Sequence, residues 1–570
     1  MIAMIVLFTV AIFSVAYLTY GRFLARTLEL DDKRLTPACE VNDGADFVPA
    51  KWSLLLGQHF SAIAAAGPIV GPILAGIWFG WLPALLWIIV GAILIGGVHD
   101  MTSLVASIRH RATSVGQLVR TYMTPLSHKL FLVFVWMALV YVIVAFTDIT
   151  AQTFKYVGDQ AGASGAGVAI SSALYLVLGT AMGLCLTKFR MNLKLATAIF
   201  LPLLFAVILL GPQFPQPVLD WVNSINAKQW DTIIIIYCFF ASVAPVWLLL
   251  QPRGYLGGWF LYLTIFASVA GAVFGGYALQ YPALNLEGLH SAVNAKPLFP
   301  ILFITIACGA CSGFHSIICS GTTSKQLERE TDARKIGYGT MLLEGLVAVL
   351  ALATVMMLAP GDERLKLDPN VVYAKGLAQY MADLFRIDSG MALGFALLAF
   401  STFVYDTLDV CTRLARYVVQ ELFGWESTFS AYGATLVTLA APLAILWSTE
   451  SRAYMVAWPI FGTSNQLLAS LTLLAVSVWL MRTGRNALYA VIPMVFMMGM
   501  TMWSLVLNFL PFVKALLGVA GAPEIKPDMA VSGVVGIALF VLTLFLVAEA
   551  VNVLLIRRDG TPPNAATAQV

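Results

Sequence analysis

Charge is what this chain has least of. Only 11% of its 570 residues are charged, 33 Lys and Arg against 30 Asp and Glu, far below the proportion of a soluble globular protein. A net charge of +3 supplies no basic surface for nucleic acid. Cysteine is sparse as well. Of the seven, Cys238, Cys308, Cys311 and Cys319 fall inside apolar runs, which excludes the disulfide framework of a small secreted domain. Cys308 and Cys311 form a CxxC without a second cysteine pair, too little for a structural zinc site. Long polar stretches are missing too: the connections reach roughly thirty residues, too few to bury a core of their own. There is no GxxxxGKS/T loop, no HExxH and no GxGxxG after a strand. No nucleophile or metal set points to an enzyme, and no cofactor is called for, so energy must come from an ion gradient, of protons or alternatively sodium, or from the substrate gradient itself.

What the chain does have is apolar residue, 60% of the total with a mean hydropathy of +0.85. At about 20 residues per crossing, about fifteen transmembrane segments can be marked, at 2–24, 53–79, 81–107, 129–153, 167–186, 195–211, 232–251, 258–281, 298–320, 336–359, 390–411, 431–448, 455–481, 488–508 and 530–556. This predicts an all-α polytopic membrane protein whose partners are the lipid bilayer and a small-molecule substrate. Most Lys and Arg residues fall in the loops after odd-numbered segments, which predicts the N-terminus outside and the C-terminus, with Arg557 and Arg558, in the cytoplasm. The first run, with Arg22 and Arg26 after it rather than before it, reads as a retained helix.

One segment breaks the helical rule. Leu56 to Ile77 is apolar enough to span, yet Gly67-Pro68 and Gly71-Pro72 stand at its centre, where an unbroken helix tolerates them least. Irregular backbone survives at membrane depth only when buried in protein or facing a cavity, and transporters use the ends of such half-helices to hold substrates and ions. Five segments later, Ala244-Pro245 falls mid-segment. An odd offset gives opposite topology, so a leucine-transporter-type 5+5 inverted repeat with discontinuous helices plus extra helices is expected. It comprises a single membrane domain over 1–556, with 2–24 accessory, 53–211 and 232–411 as the repeats, 431–556 additional, and 557–570 a disordered tail. Ser61, Gly67, Pro68, Gly71, Ala244 and Pro245 are the candidate substrate-binding residues.

Titratable groups at membrane depth are functional candidates by default. His59, His99, Asp100 and His315 sit at a similar distance from the cytoplasmic ends of three segments, a level suited to a proton relay. The bland alternative is that each caps local backbone. Ser312 and Ser316, one turn apart on one face, are candidates for a cation site or for close packing. Asp148 is placed near an outer gate. Asp406, Asp409, Arg413 and Arg416 cluster at one helix end, where Asp409 and Arg413 have i,i+4 spacing for an ion pair that could close an inner gate. Glu344 is deeply embedded with no evident partner. Thr463, Ser464, Asn465 and Gln466, beside Pro459 and Gly462, suggest another irregular segment.

Five motifs in order, GQHFSAIAAAGPIVGP, FGWLPALLWIIVGAILIGGVHD, CGACSGFHSIICSGTT, STFVYDTLDVCTRLARY and WPIFGTSNQLLA, resemble the carbon starvation protein A family over roughly residues 50 to 480. Gln58 stands where members often carry a second histidine beside the one matching His59. The resemblance implies a bacterial inner-membrane transporter of the amino acid-polyamine-organocation superfamily, importing short peptides or pyruvate during carbon starvation as part of a stress response. Proton symport is the expected mechanism. A sodium-coupled transporter of the same fold, or a membrane nutrient sensor or channel, is the alternative.

Overall fold

Helix satisfies every backbone group within its own segment, which is what lipid demands, and among the described residues the regular elements of the computed structural model are helices apart from a two-stranded ribbon, Leu286–Glu287 with His290–Ser291. It describes residues 1–43, 47–157, 164–245, 247–425, 427–449 and 452–555. The expected tail at 557–570, with Arg557 and Arg558, lies outside the described residues. Among those residues, 12 helices are long and apolar enough to cross a membrane, and up to 13 when Trp52–Ile63 and Gly67–Phe79 count as one span bent by 48°. The other two expected segments fall short for physical reasons. One is only 17 residues long, Ala227–Val243. The other, 298–320, is unwound in its middle.

The helices that build the interior are labelled in chain order: α1 Trp52–Ile63, α2 Gly67–Phe79, α3 Trp81–Arg109, α4 Pro125–Phe154, α5 Ala227–Val243, α6 Leu250–Phe274, α7 Leu298–Thr305, α8 Phe314–Ile318, α9 Thr340–Met356, α10 Ser389–Phe423, α11 Ala453–Arg482 and α12 Leu488–Leu516. In α10 and α11, 94% of the most apolar window is buried by protein, against 28% in the N-terminal helix Ile2–Thr27. The first two are therefore the centre of the bundle and the last is its rim.

The break in the first discontinuous span lies at Ala64 to Ala66, just before the Gly-Pro steps. Gly67 and Pro68 open α2, where a missing N–H removes no intrahelical bond, and only Pro72 is interior. The partner of this break is not the expected one. Pro245 does not kink a span: α5 ends at Val243 and α6 begins at Leu250, so Ala244-Pro245 is a connection between helices. In α6, Pro252 falls in the first turn, avoiding the roughly 3 kcal/mol that an interior proline costs. The second interior break is instead at Ile306 to Gly313, between α7 and α8.

The two breaks pack on each other. An ideal Cβ on Gly67 would lie 2.3 Å from Cys308 Sγ, and one on Gly71 2.3 Å from the Thr305 carbonyl oxygen. Residue numbers rise along one segment as they fall along the other, so the two run antiparallel. The ends left open at the second break are capped by α11. Asn465 Oδ1 accepts the Phe314 N–H at 2.9 Å, in the first turn of α8. Gln466 Nε2 donates to the carbonyls of Phe303 and, at 3.3 Å, Ile306; Trp87 Nε1 adds a bond to Ile306 at 3.1 Å. These are the orphan groups that every helix end presents.

Candidate functional site

Two buried polar clusters flank the first break. The first joins α3, α8 and α9. His99 Nδ1 is 2.7 Å from Asp100 Oδ1, and His315 Nδ1 is 2.8 Å from Asp100 Oδ2. His315 Nε2 lies 3.2 Å from Glu344 Oε2, close enough for an ion pair but not aligned as a hydrogen bond. All four side chains are completely buried. Asp100 therefore stands between two imidazoles, and His315 between two carboxylates. His59 is close enough to feel the charges of Asp100 and His315, and its Nδ1 is 2.8 Å from Thr323 Oγ1. The structure thus joins His99, Asp100 and His315, leaves His59 bonded to Thr323 beside them, and supplies Glu344 with a partner that spacing alone did not reveal.

The second cluster centres on Arg253 of α6, which is 1% exposed. Its Nε donates to Asp406 Oδ1 at 2.7 Å, and Nη2 is 2.7 Å from Asp409 Oδ2. Its Nη1 donates to the hydroxyl of Tyr237, which donates on to Asp409 Oδ2 at 2.9 Å. Ser61 Oγ donates to the other oxygen of Asp406 at 2.7 Å. The expected Asp409–Arg413 pair is not what forms. Asp409 turns to Arg253, while Arg413 Nη2 reaches the carbonyls of Ala241, at 3.0 Å, and Ala244, capping the C-terminus of α5, an end that attracts cations.

Between α1, α6, α8 and α10 lies a cavity of about 70 Å³, walled by His59, Ser61, Arg253, Lys325, Asp406 and Arg413 among others. Three cations face one carboxylate there, so the cavity favours an anion, and its volume exceeds what one water needs. Gly67, Pro68 and Gly71 are buried, and Gly67 and Gly71 abut the α7–α8 backbone and Cys308 rather than a cavity. Ala244 and Pro245 are not among the cavity walls. Ser312 lies in the unwound stretch rather than one turn from Ser316 on a helix. It exchanges hydrogen bonds with Asn465, at 3.0 and 3.3 Å, while Ser316 Oγ is 2.7 Å from the Gly313 carbonyl oxygen and 3.0 Å from Thr472 Oγ1. Asp148 Oδ2 accepts the Tyr454 N–H at 2.8 Å, capping α11 from another helix. Among the described residues, no group of three or more His, Cys, Asp or Glu side chains is arranged to hold a metal ion.

Arg253 and Tyr237 were missed by sequence reasoning. The signal was present, an arginine within the apolar run LLLQPRGYLGGWF, but reading Pro245 as a kink extends the preceding span to 251 and leaves Arg253 in a loop.

A multi-pass membrane protein whose buried charges converge on interrupted helices is the class that this fold and site define. The chain belongs to the carbon starvation protein CstA family, whose description, "Carbon starvation protein CstA", it matches over residues 1–364 and 364–504. It is similar to the peptide transporter CstA of Helicobacter pylori, with 33% identity covering 89% of this chain and 82% of that protein. The peptide transporter CstA of Escherichia coli is 32% identical over 86% and 78%. The pyruvate/proton symporter BtsT of Escherichia coli is 30% identical over 88% and 81%. A crystal structure of the Eremococcus coleocola manganese transporter aligns with a TM-score of 0.46 and 13% identity, over 90% of this chain and 99% of that one.

Proposed function

We propose that this protein is a secondary transporter that imports a small carboxylate-bearing nutrient, pyruvate or a short peptide, driven by protons. The observation that carries the reading is Arg253 in the wall of the cavity. A guanidinium has five N–H donors in a fixed fork, and the bonds to Asp406, Asp409 and Tyr237 leave one on each terminal nitrogen for a substrate carboxylate. Arg413 and Lys325 add positive charge, and Ser61 and His59 supply hydrogen-bonding edges. The names of the relatives, peptide transporters and a pyruvate/proton symporter, agree with this chemistry.

The coupling site is the Asp100–His315–Glu344 cluster. A neutral imidazole has one N–H, yet His315 faces a carboxylate on each side. Either the ring is an imidazolium or one of the carboxyls holds a proton; both require one proton more than the neutral ring with two carboxylates would have. No separate cofactor is needed. The antiparallel breaks at 64–66 and 306–313 support an inverted-repeat architecture of the amino acid-polyamine-organocation type, with the second repeat's break placed at Ile306 to Gly313. In this reading the protein sits in the bacterial inner membrane, N-terminus outside, with the Lys325 end of the cavity opening to the cytoplasm.

The test is uptake into proteoliposomes, with pyruvate and di- and tripeptides offered in parallel under an imposed pH gradient. Accumulation against the solute's own gradient is expected. Accumulation that requires sodium and ignores pH would overturn the coupling. Equilibration without accumulation would make the protein a channel or sensor.

A further inference from the structure

Asp231 stands one turn into α5, on the side of the bundle away from the Asp100 cluster, because α4 starts beside the end of α3 and crosses before reaching Asp148. It is fully buried, and neither of its carboxylate oxygens has a hydrogen-bond partner. A buried carboxylate without a protein donor is disfavoured as an anion. Its acidic neighbour is Asp148, whose charge acts on it.

The two acids are unequal. Asp148 has a donor on each oxygen, the Tyr454 N–H at 2.8 Å and Gln152 Nε2 at 3.2 Å, and these donors offset part of the cost of burying its charge. Asp231 has none. The other charged and titratable groups on its own helix and on the helices packed around it are already engaged or apart from it. Lys228 gives its ammonium to the carbonyls of Leu446 and Thr449, acting on Asp231 only through its field. Lys155, at the end of α4, donates to the Asn223 carbonyl. Asp409 and Tyr237 belong to the Arg253 cluster, Tyr454 donates its hydroxyl to Asp368 at 2.6 Å, and Tyr432 lies at the opposite end of the 428–448 helix.

Below Asp231 the way to Arg253 is filled by rings. Phe154 lies 5.0 Å from Trp230 and 6.2 Å from Tyr405 between centroids, and Tyr405 is 5.3 Å from Tyr237. Asp231 is therefore divided by an aromatic layer from the cavity where the substrate carboxylate is placed.

We propose that Asp231, set against the hydrogen-bonded Asp148, is a second proton-binding site, across that aromatic layer from Arg253 and on the opposite side of the bundle from the Asp100–His315–Glu344 cluster. It deepens the proton-coupled reading and rests on it for the transported ion. The site holds a proton on the Asp231 carboxyl, separated from the substrate cavity by the packed rings of Trp230, Phe154, Tyr405 and Tyr237.

Two measurements on the full-length protein test this. The first is the infrared band of a protonated carboxyl group in purified protein at neutral pH, compared between wild type, Asp231→Asn and Asp231→Glu. A band that is lost in Asp231→Asn and shifted in Asp231→Glu is expected; a wild-type spectrum without it, or a band that sodium removes, overturns the proposal. The second is accumulation driven by a pH gradient, with folding checked by thermal melting. Asp231→Asn is expected to accumulate substrate about tenfold less than wild type, with Asp231→Glu restoring part of it. Wild-type accumulation by Asp231→Asn overturns the coupling role. If wild type shows the band but no pH-driven accumulation, the functional reading fails while the proton site stands.

Discussion

Gly71 and Thr305 leave no room between them: a Cβ on Gly71 would stand 2.3 Å from the Thr305 carbonyl oxygen. That carbonyl belongs to the end of α7, whose position is held by the caps from α11, so it cannot swing aside as a flexible side chain would. Gly71→Ala is expected to overpack the contact at about 1–3 kcal/mol, read as a lower melting temperature in detergent. Gly67→Ala meets a side chain instead, Cys308, at 2.3 Å from Sγ and 2.5 Å from Cβ. The double variant Gly67→Ala with Cys308→Gly is therefore expected to regain most of the lost stability. Equal melting temperatures for the single and double variants would show that the two breaks are not in contact.

Arg253 is bound into a buried triad with Asp406 and Asp409, so its removal strands two carboxylates. Arg253→Ala is expected to destabilise the fold by about 3–5 kcal/mol, the range for breaking a buried ion pair, with loss of expression. Arg253→Met combined with Asp406→Asn and Asp409→Asn removes the charges together and is expected to recover a folded protein. It should still fail to bind substrate, because the fork that meets a carboxylate is gone. Normal affinity in that triple variant, by binding or counterflow, would move the substrate site elsewhere.

How much of this was visible in the sequence depends on what each residue does to the backbone. Gly67-Pro68 and Gly71-Pro72 signalled a break because the residues themselves disfavour an interior helix, and the break lies just ahead of them. The break at Ile306 to Gly313 carries no proline. Gly309, Gly313 and their small neighbours read equally well as close packing, and the groups that satisfy the open ends, Asn465 and Gln466, lie far along the chain. Spacing placed the three histidines and Asp100 at one depth; His99, Asp100 and His315 are in contact, while His59 bonds to Thr323 instead. It could not pair Glu344 with His315, or Arg253 with Asp406 and Asp409, because those contacts depend on how helices rotate against one another. Local spacing also misled at Asp409 and Arg413. An i,i+4 pair on a surface helix gains a few tenths of a kcal/mol, too little to compete with a buried guanidinium or with the open carbonyls at the end of α5.

Asn465 is expected to be structural in a way that can be separated from transport chemistry. Its Oδ1 takes the first-turn N–H of Phe314, and its Nδ2 donates to Ser312 Oγ at 3.0 Å. Asn465→Leu leaves a buried N–H without a partner, a loss of about 1–3 kcal/mol. Asn465→Asp keeps the acceptor but brings an unpaired charge into the core. Both variants should melt lower than wild type, and Asn465→Asp should gain stability on acidification as its carboxyl takes a proton. Stability of Asn465→Asp that does not change with pH would argue that α11 does not cap α8.

Glu344 tests the proton count at His315. With Asp100 on one side of the ring and Glu344 on the other, the cluster needs a shared proton to avoid facing a lone pair against a carboxylate. In Glu344→Gln the amide N–H can donate to His315 Nε2, so a neutral ring in the Nδ1–H tautomer, donating to Asp100, is satisfied and the extra proton is no longer required. The side chain keeps nearly the same volume, and Asp100 keeps its contacts with His99 and His315, so no buried charge is left without a partner. The variant is therefore expected to fold, to exchange substrate across the membrane, and to lose accumulation under a pH gradient. Uptake should also lose its dependence on pH over the range where the wild type responds. Wild-type accumulation by Glu344→Gln would exclude this cluster from coupling, and loss of both exchange and accumulation would place Glu344 in the substrate path instead.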